Sequence, residues 1–214
     1  MLFFVVTAAT LASIGPLACG EDTASPGTTG SRDASQDRRV VTVIPDASCE
    51  IVVDAPPELP RAPHLAAGVE ASYNSNPPSS GLHDPVWAAY REFTTPVPRR
   101  NYVHDLEHGA IVFAYNCDKY ATGDGAAACS EIVELLRTVV KSLPDDPLCT
   151  NEGKGVRVRA LITPDPLLDV PIAAAAWGWT YRGGCLDRAS LEDFARQHYG
   201  QGPEPVCGNG WDHF

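Results

Sequence analysis

Seven cysteines, none of them in a C-x-x-C spacing, constrain this chain more than any other feature. The first, Cys19, closes an uncharged apolar run from Leu2 to Ala18. A short apolar stretch that ends in small residues reads as a secretory signal. A membrane-spanning helix needs about 20 apolar residues, and Pro16 interrupts this run sooner. Residues 1–18 are therefore expected to be a signal peptide. An exported chain meets an oxidising compartment, where cysteines pair. Setting Cys19 aside leaves Cys49, Cys117, Cys129, Cys149, Cys185 and Cys207. That even set reads as a disulfide framework, with its pairing left open. The missing C-x-x-C argues against a thioredoxin-like redox motif and a zinc ribbon.

The Ala18-Cys19 ending resembles the lipobox of bacterial lipoproteins. That resemblance implies acylation of Cys19 and a membrane-anchored lipoprotein of the bacterial cell envelope. The formal net charge is -11, and residues 1–18 contribute none of it. This balance argues against nucleic acid as a partner, because its phosphates require basic clusters. Membrane contact then rests on the lipid and not on a polybasic patch. Residues 19–47 are rich in Gly, Ser, Thr, Asp and Arg. They bury too little to offset chain entropy, so they read as a lipid-anchored disordered tether. Residues 48–214 are enough for a single domain.

Within that domain, Cys49 to Val53 reads as a first strand, and residues 54–101 as a long Pro-rich loop kept ordered by its aromatics. The continuous apolar run Ala110 to Tyr115 predicts a central strand. Ile132, Leu135, Leu136, Val139 and Leu143 form one apolar helical face, so residues 126–142 predict a helix that Pro144 ends. Val156 to Thr163 predicts a strand with Arg157 and Arg159 on its wetter face. Pro171 to Tyr181 predicts another, with Trp177, Trp179 and Tyr181 alternating onto one side. Ser190 to Tyr199 predicts a second main helix. The expected fold is α+β, a mixed β-sheet with two main helices, stapled by disulfides.

Chemistry concentrates in two polar motifs. One is Tyr73-Asn74-Ser75-Asn76-Pro77-Pro78-Ser79-Ser80-Gly81-Leu82-His83; the other is His104-Asp105-Leu106-Glu107-His108-Gly109. On a helical turn His104 and His108 share a face, with Cβ atoms about 6 Å apart, and both rings can reach one ion. On a strand they stand about 13 Å apart and cannot. A metal site therefore requires a short helix or tight turn before the Ala110 strand. His83, His104, His108 and Glu107 are the candidate ligands, with His213 as a further one. A nitrogen-rich set suits Cu or Zn. H-x-x-E-H also matches the inverted zinc peptidases, with Glu107 as the catalytic base. The same residues can instead form a hydrogen-bonded network that pins the Pro-rich loop to the sheet. His64 and His198 are assigned to the surface and to helix packing.

No nucleophile elbow, phosphate-binding loop or dinucleotide fingerprint is present. The two polar motifs, with Ala176-Trp177-Gly178 and Gly200-Gln201-Gly202-Pro203, resemble the domain-of-unknown-function 3105 family over residues 69–204. The family has no established activity, so the resemblance implies no reaction. It does suggest that the two motifs wall one site, with Tyr73, Asn74, Asn76 and Trp177 supporting the loop. The sequence supports three readings: a Cu- or Zn-binding envelope lipoprotein, a non-enzymatic structural or binding module at the cell surface, and a metal-dependent hydrolase.

Overall fold

Alternation and apolar runs in this sequence build one mixed sheet, seen here in a computed structural model. The structure describes residues 41–43 and 49–214, apart from 67, 68, 121–124, 152 and 154. The expected signal peptide, Cys19 and the expected tether up to residue 40 lie outside the described residues. In chain order the elements are β1 (Val41–Val43), β2 (Ile51–Asp54), α1 (Arg99–Glu107), β3 (Ile111–Tyr115), a 3-10 turn (Cys117–Lys119), α2 (Gly125–Ser142), α3 (Pro147–Thr150), β4 (Ala160–Pro164), β5 (Ile172–Ala176), β6 (Trp179–Gly183) and α4 (Arg188–His198).

The sheet order is β1-β2-β6-β5-β3-β4. β3 and β4 pair in parallel, across the α2–α3 crossover, and every other pair is antiparallel. The fold is therefore α+β, as the residue pattern predicts. Both faces of the sheet are covered, which is why all five residues of β3 and of β5 are buried. On one face, Ile111, Phe113, Ile172 and Tyr181 pack against Ile132, Leu136 and Val139 of α2 and against Leu191 and Phe194 of α4. On the other, Val112, Leu161 and Ala175 meet Tyr102, Val103 and Leu106 of α1, together with Phe93, Val97 and Trp177. The long loop and α1 thus form a second layer, and the candidate site lies there.

Four expectations are corrected. The single strand expected over Pro171 to Tyr181 is a hairpin, because Gly178 takes a left-handed turn at φ 74°. Trp177 therefore joins the α1 layer, while Trp179 and Tyr181 face the opposite core. Arg159 is not on a wet face: it is buried, with Nε 2.8 Å from Asp146 Oδ2. Residues 41–43, placed in the tether by composition, pair with β2, whose free edge offers unmade backbone hydrogen bonds. A helix, α1, closes the Pro-rich segment expected to be irregular through residue 101.

Three disulfides staple the described residues: Cys49–Cys185, Cys117–Cys129 and Cys149–Cys207. The last fastens a C-terminal strap that crosses the end of α1. There the Gly200 N–H donates to the Gly109 carbonyl and the Glu204 N–H to the Glu107 carbonyl. A Cβ on Gly202 would fall onto the Gly109 nitrogen and the Leu106 and Glu107 carbonyl oxygens. Backbone cannot yield as a flexible side chain can, so Gly202→Ala should cost about 3 kcal/mol. Urea denaturation of the variant beside the wild type checks this; an unchanged midpoint would show that the strap is not tightly seated.

Candidate metal centre

Helix α1 positions the chemistry. Tyr102, Val103 and Leu106 supply its apolar side. Gly109, at φ 81°, ends it in the left-handed conformation that glycine adopts without strain, with its N–H donating to the Leu106 carbonyl. This stop sets His104, Glu107 and His108 in the last turn, beside the negative end of the helix dipole, which favours cations. The loop strand of the site arrives through Gly81 and His83. Tyr73 Oη donates to the Leu82 carbonyl at 3.1 Å, and the Leu59 N–H to Ser80 Oγ at 2.9 Å. Asn74 holds the Pro57 carbonyl, Asn76 the Leu167 carbonyl, and Trp177 Nε1 the Glu58 carboxylate. These contacts seat both motifs against one another.

Potential ligand atoms of His64, His83, His104 and Glu107 all lie within 4.8 Å of one another. Hydrogen bonds fix two of the rings. His83 Nδ1 is 2.8 Å from the Gly81 carbonyl oxygen, and His104 Nδ1 is 2.7 Å from that of Asp84. A carbonyl only accepts, so each Nδ1 carries the proton and each Nε2 presents a lone pair. This is how metal-binding histidines are usually oriented, by a backbone acceptor on the far nitrogen. The ring centroids are 5.0 Å apart for His64–His83, 5.0 Å for His64–His104 and 4.8 Å for His83–His104. With a metal–nitrogen bond of about 2.0 Å, rings at tetrahedral positions have centroids roughly 5 Å apart. The triangle of rings is therefore the size that one ion needs.

Glu107 completes the group. Its Oε2 lies 3.0 Å from His83 Nε2, and its Oε1 3.4 Å from Arg61 Nη1. Since His83 Nδ1–H is committed to Gly81, the short Nε2–Oε2 contact needs one further proton, or a cation in its place. Burial pushes the His104 imidazolium down to about 4, against the opposing hydrogen bond to the Asp84 carbonyl, and the neighbouring His108, His83 and His64 add to the fall. His104 is thus neutral at physiological pH, as a ligand must be. Asp105, fully buried on α1, has its carboxyl raised well above the usual range by burial, although the Ala88 N–H donates to Oδ2.

Three ligand assignments change here. His108 is outside the group whose ligand atoms lie within 4.8 Å of one another, although its Nδ1 also meets a carbonyl, that of Glu204 at 2.8 Å, and its ring centroid lies 4.6 Å from that of His104. His213 is 77% exposed, beside Asp212, and is not in the group either. His64, assigned to the surface, takes the third imidazole place and keeps an exposed ring. The signal for it was slight. A buried leucine follows it, and Arg61, three residues before, reaches Glu107. The inverted-peptidase arrangement, with both flanking histidines on the ion and the glutamate free as base, is not the geometry seen.

In metal-free buffer, lowering the pH from about 6.5 to about 4 adds a proton to His104 in the unfolded chain but not in the folded one. Folding stability should therefore fall across that window, with this group contributing up to about 1.4 kcal/mol per pH unit. Denaturant titrations at several pH values, with chelator present, should show a shallower fall for His104→Gln. Identical slopes would place His104 in water.

Residues 64–209 match a family model described as Protein of unknown function (DUF3105). No curated protein and no solved structure matches the chain. The matched segment covers well over half of the chain and contains all four residues of the His/Glu group, so the chain belongs to the DUF3105 family of proteins of unknown function.

Proposed function

We propose that this protein is a lipid-anchored component of a bacterial cell envelope that binds one transition-metal ion, zinc or copper, through His64, His83, His104 and Glu107. One observation carries the metal reading. His83 and His104 each set Nδ1 against a main-chain carbonyl, which leaves Nε2 as the ligand nitrogen, and ligand atoms of His64, His83, His104 and Glu107 lie within 4.8 Å of one another. Three imidazoles and a carboxylate, with no thiolate available from paired cysteines, suit zinc or copper over calcium. An ion would take the place of the proton between His83 and Glu107, so binding should tighten as pH rises. The envelope reading is supported by the apolar leader ending at Cys19 and by three disulfides in the domain. Among the described residues no helix is long and apolar enough to cross a membrane.

A second reading has its own support. The 3.0 Å contact between His83 and Glu107 is also a satisfied buried hydrogen bond that pins the loop to α1. On that reading the group is structural and the protein is a non-enzymatic module.

Elemental analysis separates the two. The full chain, exported through an oxidising compartment and loaded with zinc or copper, should hold about one ion. The His83→Ala/His104→Ala variant should hold none, and His108→Ala should keep its ion. A chelator should lower the wild-type melting temperature. No ion in any form, with melting insensitive to chelator, would leave the structural network standing. For the anchor, Cys19→Ser should move the protein from the membrane fraction to the soluble fraction.

A further inference from the structure

Among the four ligand candidates, three are built in and one is not. His83, His104 and Glu107 are 0%, 4% and 3% exposed. Each is held by a second contact: Gly81 for His83, Asp84 for His104 and Arg61 for Glu107. His64 is exposed, and among the described residues its ring meets other rings but makes no hydrogen bond. Structural metal sites are closed, with every ligand fixed and buried; sites that do chemistry keep a position open to solvent.

We infer that His64 is the exchangeable ligand of this centre, and that the site hands its ion to and takes it from an external chelating partner with nitrogen or oxygen donors. The inference rests on the metal reading above. The backbone around His64 suits the role. Leu65 is buried, and its N–H donates to the His83 carbonyl at 2.8 Å, which keeps residue 64 beside the centre. On the other side Arg61 is tied to Glu204 at 2.7 Å and to Glu107. With both flanks pinned, His64 can leave the ion by rotating its side chain alone and can return without a search. In the exchange step the incoming donor's lone pair forms a bond to the ion as the bond to the His64 nitrogen breaks. The imidazole departs neutral, and no electron changes hands. His83, His104 and Glu107 hold the ion throughout.

The test uses the zinc-loaded full chain, mixed with excess chromogenic nitrogen- and oxygen-donor chelator in a stopped-flow instrument. The wild-type transfer rate should rise in proportion to chelator concentration, because the acceptor enters before the ion leaves. His64→Ala should still bind one ion, with affinity reduced about tenfold to a hundredfold, and should release it faster. His83→Ala should bind none. Because His64 is exposed, its variant should show the wild-type circular dichroism and metal-free melting. Three results would overturn the inference: loss of all binding in His64→Ala, unchanged affinity and rate in that variant, or a wild-type rate independent of chelator concentration. A wild type that takes up no zinc at all would instead sink the metal reading, and this inference with it.

Discussion

Burial of a short, polar helix is the constraint on which the candidate site depends. Nine residues are too few for α1 to persist alone in water. It exists because Tyr102, Val103 and Leu106 fill the second core while the strap and the long loop enclose its other sides. As a result every residue from Asn101 to Glu107 is buried, including four with polar or charged side chains. Such groups are costly unless they are satisfied. The satisfying partners are the architecture of the site: Val86 for Asn101, Asp84 for His104, Ala88 for one oxygen of Asp105, and His83 with Arg61 for Glu107.

Enclosure also governs the charges. In a chain of net charge -11, a cation finds a favourable field, and the site adds to it a helix C-terminus and one carboxylate. The protein meets some of this with its own arginines. Arg61 lies across Glu107 and Glu204, and Arg159 reaches the His108 carbonyl while its Nε pairs with Asp146. Burial tends to raise the Asp146 carboxyl, but hydrogen bonds from Tyr199 and Arg159 outweigh it and hold the group below the usual range. That buried pair joins β4, α3 and the end of α1 into one rigid corner. The His/Glu group is thus mounted on fixed structure, and its exposed side is left to His64.

The parts of the fold legible in the sequence are those whose periodicity is set by burial on a single face or on both. The β3 run, the α2 face and the α4 face are read directly from their apolar spacing. Helix α1 is not, because most of what it buries is polar and so leaves no apolar period. The histidine motifs were visible as motifs, and His83, His104 and Glu107 do converge. Which of the remaining histidines faces them depends on distant backbone. The Glu204 carbonyl fixes the His108 ring, and Leu65 seats His64. Neither partner can be located without the fold. The same holds for Arg159, whose place on the strand suggested water but whose carboxylate partner is Asp146, thirteen residues earlier in the chain and within the crossover.

The disulfides complete this division between what a pattern shows and what a topology decides. Their number follows from cysteine arithmetic, but their use follows from placement. Cys49–Cys185 closes a chain separation of 136 residues and ties β2 to the end of β6, two strands that are already paired. Cys117–Cys129 closes a separation of 12 beside α2. Cys149–Cys207, with a separation of 58, joins the crossover to a strap that lacks regular structure of its own. In the chain-entropy view a crosslink mainly restricts the unfolded ensemble, and more so as the loop lengthens. For a strap held by a few backbone hydrogen bonds, it also sets how long those bonds stay made. The strap carries Gly202, which packs on the helix end, and Glu204, which positions both Arg61 and His108. Of the three crosslinks, then, Cys149–Cys207 is the one through which the oxidised state of the chain supports the geometry of the centre.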